Sequence, residues 1–207
     1  ELSRVAADML ISEIKAKPDC VLGLATGSTP IGTYDKLIEA YKSNEVSFAK
    51  VKSINLDEYV GISWSNTESY RYFMNEHLFD HVDIDKTNTH VPNGLAGDLD
   101  EECARYDALY DQIGPVDIQV LGIGLNGHIG FNEPGTSLSA PTHIVKLSDS
   151  TRQANSRNFT SLDAVPYKAI TLGMAGIMKA KKIVLLASGP AKRDAIENNV
   201  FGEVAQH

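Results

Sequence analysis

The feature that most constrains the fold is an alternation of short apolar runs with helical patterns along the whole chain. Apolar residues recur at helical spacing from Leu2 to Ile14, and residues 20–25 then form a short apolar run typical of a buried strand. A tight loop at residues 26–30 follows, with Pro30 well placed in the first turn of another helix. Further strands are predicted at residues 51–56, 116–122, 143–147, 169–173 and 182–187.

Strands that alternate with helical segments predict an α/β fold, a mostly parallel sheet with helices on both faces. The chain has 207 residues and no linker-like shift in composition, so we expect a single domain over residues 1–207. The capping-box patterns Ser65-x-x-Glu68 and Asp98-x-x-Glu101 predict two helix starts. Ligands of such sheets bind at the carboxyl ends of the strands, so the loops after the predicted strands are the candidate site.

Charge and composition exclude several classes of protein. The formal net charge is −8 and no basic tract stands out, which argues against nucleic-acid and anionic-membrane partners. No apolar run approaches the roughly 20 residues of a membrane span. The two cysteines, Cys20 and Cys103, lack metal or redox spacing and are interpreted as buried free thiols of a cytoplasmic protein.

One loop is unusually rich in residues that handle protons or free the backbone. Residues 121–134, LGIGLNGHIGFNEP, follow a predicted strand and hold four glycines, one histidine, two amide side chains and one carboxylate. This composition suits a catalytic loop shaped around a small ligand. The spacing Gly122-x-Gly124-x-x-Gly127 also matches a dinucleotide fingerprint. We reject that interpretation because Gly130 and Pro134 interrupt the helix that the fingerprint requires.

Three candidate segments lie at predicted strand ends, and each has a structural alternative. Small residues at 26–29 suit an anion at a helix N-terminus, or a simple helix cap with a turn. The adjacent acids Asp57 and Glu58 suit a general base, or a solvated loop. His128 is either a structural histidine or a catalytic one, with Glu133 five residues on to orient its ring and raise its pKa.

Four segments together resemble the glucosamine-6-phosphate deaminase family: residues 24–30 (LATGSTP), 55–61 (NLDEYVG), 124–134 (GLNGHIGFNEP) and 154–157 (ANSR). The resemblance runs over essentially the whole chain. It implies a modified doubly wound α/β sheet and conversion of glucosamine 6-phosphate and water to fructose 6-phosphate and ammonia, with no metal or organic cofactor. From the resemblance we also expect that the family's first strand and its last strand and helix are missing from residues 1–207.

The resemblance also implies roles for individual residues. Asp57 would be the base that moves a proton between C2 and C1 of the open sugar, because isomerisation requires a carboxylate at that edge. His128 would open the ring, and Asn126 and Glu133 would hold and tune it. The substrate phosphate would be bound by Gly27, Ser28, Thr29, Arg157 and Lys192.

Two departures from the family bear on regulation. Some members carry aspartate where this chain has Asn126, so the pH profile is expected to differ. Members that N-acetylglucosamine 6-phosphate activates carry a basic pair where this chain has His143 and Val145, so we expect no such activation and a monomer or small homo-oligomer. Two alternatives stay open at this point, a 6-phosphogluconolactonase that shares the fold and a non-catalytic phosphosugar sensor.

Overall fold

The computed structural model describes residues 1–156 and 159–202. The helices in this part of the chain are α1 (Leu2–Ala16), α2 (Ile31–Lys42), α3 (Tyr70–His77), α4 (Leu99–Ile113), α5 (Asp149–Asn155), α6 (Met174–Ile177) and α7 (Arg193–Phe201). The strands are β1 (Val21–Leu24), β2 (Lys52–Asn55), β3 (Asp57–Tyr59), β4 (Thr89–His90), β5 (Ile118–Gly122), β6 (His143–Lys146), β7 (Lys168–Thr171) and β8 (Ile183–Leu186). The predicted strands are therefore present, with ends that differ by one or two residues.

Five strands form the main sheet in the order β4-β2-β1-β5-β8, and all of its pairings are parallel. The chain passes from β1 to β2 on one side and from β5 to β8 on the other. Because right-handed connections in opposite directions lie on opposite faces, helices flank both sides of the sheet. The predicted mostly parallel α/β sheet is confirmed, and its topological switch point lies between β1 and β5.

A second sheet was not foreseen. The runs predicted at residues 143–147 and 169–173 do not join the parallel sheet but form an antiparallel one, in the order β3-β7-β6. The cause is a break at Leu56, where the chain leaves β2 and immediately starts β3. The Leu56 carbonyl accepts a hydrogen bond from Leu172 N at 2.6 Å, which ties the two sheets together at this point.

The core lies around the parallel strands, as the continuous apolar runs predicted. All four residues of β1 are buried, as are the first four of β5. A smaller apolar cluster covers the second sheet and is built around Tyr59, Phe131, Leu147 and Ala169. Phe131 of this cluster and Tyr70, which packs against it, form an aromatic wall beside the predicted ligand site.

One predicted helix start is confirmed and the other is wrong. Asp98 caps α4, where its carboxylate accepts hydrogen bonds from Asp100 N at 2.9 Å and Glu101 N at 3.0 Å. By contrast, Ser65 lies in a loop, and α3 starts at Tyr70 with Ser69 as its cap. The later start has a tertiary cause, a buried carboxylate from β3 that binds the first amides of α3, as described below.

The two cysteines agree with the expectation drawn from their spacing. Cys20 and Cys103 are both buried and free. Among the helices of residues 1–156 and 159–202, none is long and apolar enough to cross a membrane.

Candidate active site

A cavity of about 520 Å³ opens at the carboxyl ends of β1, β2 and β5, at the switch point of the parallel sheet. The loop after β1, the start of β3 and the loop after β5 form its walls, and α5 and Lys192 close two further sides. Three segments far apart in sequence therefore meet at one ligand-sized cavity, as their position at strand ends predicted.

The loop between β1 and α2 offers an anion site at one end of this cavity. Gly27, Ser28 and Thr29 all line it, and Gly27 has a φ of +94°, which turns the chain into the helix start. Within residues 1–156 and 159–202, no side chain caps the N-terminus of α2. The first amides of a helix that lacks such a cap carry partial positive charge and point at the space where an anion would bind.

Lys192 brings the one cationic side chain among the described residues that line the cavity. It lies in the short turn before α7, and its ammonium donates a hydrogen bond to the carbonyl of Ile123. Burial lowers the pKa of this lysine. Arg157, the second predicted phosphate ligand, lies outside the described residues, so its role stays a prediction.

The adjacent acids Asp57 and Glu58 have different environments. Glu58 is fully buried, and its carboxylate accepts hydrogen bonds from Ser69 Oγ at 2.7 Å and from the amides of Tyr59, Tyr70 and Arg71 at 2.9, 3.0 and 3.0 Å. It therefore anchors the start of α3 and has no free lone pair for chemistry. Asp57 lines the cavity instead, and its carboxylate accepts no hydrogen bond from residues 1–156 or 159–202.

Burial and, to a lesser extent, the charge of the adjacent Glu58 together raise the pKa of Asp57 to about 8. The Asp57 side chain is only 7% exposed. A carboxyl group with this pKa is a stronger base than an ordinary aspartate once it has lost its proton, which suits abstraction of a carbon-bound proton. Of the two interpretations of these acids, a solvated loop is wrong for both of them.

The loop after β5 is a tight turn that holds His128 against the cavity. Gly124 N donates to the His128 carbonyl at 2.8 Å, and His128 N donates to Asn126 Oδ1 at 3.2 Å. The imidazole packs directly on Gly124, where an added Cβ would lie 2.3 Å from Nδ1. Only glycine fits at this position, and the glycine spacing in the sequence thus serves the histidine. No helix starts in this loop. A dinucleotide fingerprint requires a helix at this point, so that interpretation stays rejected.

Glu133 reaches the histidine indirectly. Its carboxylate accepts a hydrogen bond from Asn126 Nδ2 at 2.5 Å, while His128 Nδ1 is buried and has no hydrogen-bond partner in the described chain. Burial lowers the pKa of His128, and Glu133 raises it to a lesser extent. The expected rise is therefore wrong in its net direction, because loss of hydration outweighs the nearby carboxylate. A lowered pKa favours the neutral ring.

Sequence reasoning missed the aromatic wall of the cavity. Tyr70 lines it, with its ring stacked on Phe131 at a centroid distance of 6.2 Å and its hydroxyl 3.4 Å from that of Tyr59. Asn155 of α5 also lines the cavity and donates to the Tyr59 hydroxyl at 2.9 Å. The signal for Tyr70 was Ser69, a good capping residue directly before it, but the pattern at Ser65 matched the motif better.

No group of three or more His, Cys, Asp or Glu side chains is placed to hold a metal ion in residues 1–156 and 159–202. The polar groups that face the cavity are one carboxyl, one imidazole, one ammonium and several hydroxyls and amides. They are suited to transfer protons and to bind an oxyanion.

Comparison with known proteins agrees with this chemistry. A glucosamine-6-phosphate deaminase from Clostridium perfringens is 55% identical over 204 residues, which cover 99% of this chain and 84% of that protein. The deaminase of a Geobacillus species is 57% identical over 192 residues, covering 93% of this chain and 76% of its own length.

Solved structures give the same grouping. A monomeric glucosamine-6-phosphate deaminase superposes with a TM-score of 0.97 at 49% identity, covering all of this chain and 86% of that one. The 6-phosphogluconolactonase of Trypanosoma cruzi shares the fold alone, with a TM-score of 0.77 at 19% identity over 98% of this chain and 82% of its own. Residues 1–206 match the family described as "Glucosamine-6-phosphate isomerases/6-phosphogluconolactonase". The chain therefore belongs to this family, and within it groups with the glucosamine-6-phosphate deaminases.

Proposed function

We propose that the cavity converts glucosamine 6-phosphate and water to fructose 6-phosphate and ammonia. The observation that carries the proposal is the meeting of a buried, unpaired Asp57, a neutral His128 and an anion loop on one 520 Å³ cavity. A base, a proton shuttle and a phosphate site are the three elements that this isomerisation needs. The relatives named for the same reaction support it.

The phosphate fixes the orientation of the sugar. Its oxygens would accept hydrogen bonds from the first amides of α2 and from Ser28 and Thr29, with charge from Lys192 and from Arg157. These groups offset the repulsion that a net charge of −8 would otherwise exert on a phosphate dianion. The other end of the sugar then points to Asp57 and His128.

Ring opening requires a proton to leave the anomeric hydroxyl and another to reach the ring oxygen. A neutral imidazole does both, because one nitrogen accepts a proton while the charged ring then donates it. We assign this role to His128, because it lines the cavity on the loop after β5 and its ring packs against Gly124. The product of this step is the open-chain aldehyde.

Isomerisation then proceeds through Asp57. The carboxylate removes the proton from C2, the C1 oxygen gains a proton, and a C1–C2 double bond forms. Return of the proton from Asp57 to C1 gives an imine at C2, to which water adds while ammonia leaves. Because free Asp57 has a pKa of about 8, kcat/KM is expected to rise with pH towards that value.

Several finer assignments belong to the same proposal. Loss of ammonia with uptake of water would class the protein as a hydrolase that acts on an amino-sugar phosphate. We place it in the cytoplasm and in the breakdown of amino sugars, including N-acetylglucosamine. We also propose that it works without a cofactor as a monomer or small homo-oligomer, as the monomeric structural relative supports.

The decisive experiment measures ammonia release and exchange of the C2 proton with tritiated solvent. Asp57→Asn should keep binding of the phosphosugar but lower turnover by about 100-fold or more, since general base catalysis commonly supplies 10² to 10⁴. Asp8→Asn, which removes an exposed carboxylate from α1, is the matched control. Exchange at the parent rate in Asp57→Asn would show that another group is the base, and lactone hydrolysis without ammonia release would overturn the assigned reaction.

A further inference from the structure

A second cavity of about 240 Å³ lies between α3, β4 and α4 and shares no lining residue with the active-site cavity. Its polar walls come from Arg71 of α3, Thr89 and His90 of β4, Asn93 after β4, and Glu102 and Arg105 of α4, and Trp64 forms one apolar wall. We refer to it as the arginine cavity. Neither the proposed reaction nor the phosphate site of the active site uses any of these residues.

Arg71, which lines this cavity, has guanidinium N–H groups that its hydrogen bonds do not use. Its guanidinium donates to Thr89 Oγ1 at 2.6 Å and to the Thr89 carbonyl at 3.2 Å, which uses two of its five N–H groups. It forms no ion pair with a carboxylate in residues 1–156 or 159–202. The Trp64 ring lies 5.2 Å from the guanidinium carbon and restricts its motion. The remaining three N–H groups are thus presented in a fixed position.

Arg105 is held in a similar way by Glu102. Nε and Nη2 of this arginine donate to the two Glu102 oxygens at 2.6 and 2.7 Å, and Glu102 also accepts from Asn93 N at 2.8 Å. Glu102 is buried, and its oxygens are occupied by these bonds. It therefore fixes Arg105 and does not occupy the cavity as a free acceptor, while three of the arginine's N–H groups remain available.

The charge around the cavity is positive in a protein that is acidic overall. Arg71, Arg105 and the neighbouring Lys52 all act on His90, and they lower the pKa of its imidazole together with burial, which is the largest cause. Glu102 offsets one of these three cations. The charge of the buried Glu58 also acts on Arg71, although the two side chains form no ion pair. Three cations against these two carboxylates leave a local excess of positive charge, which contrasts with the net charge of −8.

We propose that the arginine cavity binds the phosphate group of a small metabolite. Two guanidinium forks and an imidazole match the several oxygens of a phosphate better than the two of a single carboxylate. The volume is below the roughly 300–1,000 Å³ of pockets for drug-sized ligands, so a phosphate with a few carbon atoms fits and a nucleotide does not. The inference does not depend on the reaction in the other cavity.

Trp64 makes the test specific, because it is the sole tryptophan of the chain. Its indole N–H, which donates to the Pro92 carbonyl at 3.3 Å, gives a single side-chain resonance in a proton–nitrogen NMR spectrum. We would titrate the full chain with inorganic phosphate and follow this resonance and tryptophan fluorescence, with sodium chloride at equal ionic strength as the reference. A saturable change with phosphate alone is the expected result.

Variants separate the two cavities. Arg105→Gln should weaken the indole response by about tenfold or more, since it removes a charge-assisted donor, and Arg71→Lys should weaken it while keeping the charge. Lys192→Gln should leave the response unchanged, as should the matched control Lys50→Gln, which removes an exposed cation that neither lines the cavity nor acts on His90. No saturable response in the parent, an unchanged response in Arg105→Gln, or its loss in Lys192→Gln would each overturn the proposal.

Discussion

Replacement of Asp57 should make the protein more stable, and increasingly so as pH rises. Burial raises the pKa of this carboxyl to about 8 in the folded chain, against an ordinary value of 3.8. Between these values the folded state holds a proton that the unfolded state has lost, so the stability that Asp57 contributes is present below pH 3.8 and is lost as pH rises through 8. An asparagine of the same shape has no proton to lose and avoids this loss.

The size of the effect follows from the linkage relation. One pH unit is worth about 1.36 kcal/mol when the two states differ by one proton. Between pH 5 and pH 8, the free energy of unfolding of Asp57→Asn relative to the parent should therefore increase by about 4 kcal/mol, with relaxation of the open cavity reducing this figure. Such a gain is a large part of the roughly 5–15 kcal/mol that stabilises a typical domain.

Urea unfolding at pH 5, 6, 7 and 8 measures this directly. The quantity of interest is the difference between variant and parent at each pH, because groups far from Asp57 then cancel. Asp8→Asn on the exposed face of α1 is the control and should show a difference that does not change with pH. A constant difference for Asp57→Asn would mean that the acid is already ionised in the folded protein, and the argument from burial would fail.

Three further predictions concern the active site. Lys192→Gln and Arg157→Gln should each raise KM for glucosamine 6-phosphate about ten- to a hundred-fold. The poor binding of unphosphorylated glucosamine should stay nearly unchanged. Equal effects on both sugars would show that these cations do not contact the phosphate. Asn126→Asp should place a second carboxylate beside Glu133 and raise the pKa of His128. The acid limb of the pH profile of kcat/KM should then shift to higher pH. Identical pH profiles of variant and parent would contradict this prediction. N-acetylglucosamine 6-phosphate should not activate the protein, because His143 and Val145 replace a basic pair. A sigmoidal substrate-saturation curve that becomes hyperbolic when this compound is added would refute the expectation.

Local patterns predicted much of the fold. Apolar runs located the strands, and the cap at Asp98 was correct because an aspartate can bind amides two and three residues ahead without tertiary help. The start of α3 was missed because its strongest acceptor, Glu58, lies twelve residues before Tyr70 and on a different element. No window of local sequence contains that contact. The arginine cavity was missed for the same reason, since Arg71 and Arg105 come from separate helices.

The residues of the candidate site were predicted better than the contacts and burial that determine their properties. The segments around Asp57 and His128 carry recognisable residue types, and both line one cavity as expected. The sequence could not distinguish the roles of the neighbouring acids Asp57 and Glu58. They differ in burial and hydrogen bonding, which local composition does not reveal. The pKa of His128 was misjudged likewise, since the loss of hydration that dominates it depends on packing against Gly124.

The break at Leu56 explains the buried environment that suits Asp57 to its proposed role as a base. Had β2 continued in the parallel sheet, the side chains of residues 57 and 58 would have ended in solvent at the sheet edge. The second sheet instead pairs Asp57 with Thr171 and closes over it, which removes water from the carboxyl and raises its pKa. Alternation along β3 sends Glu58 to the opposite face, where α3 satisfies it. One strand change thus separates Asp57, the buried acid proposed as the base, from Glu58, the buried acid that anchors α3.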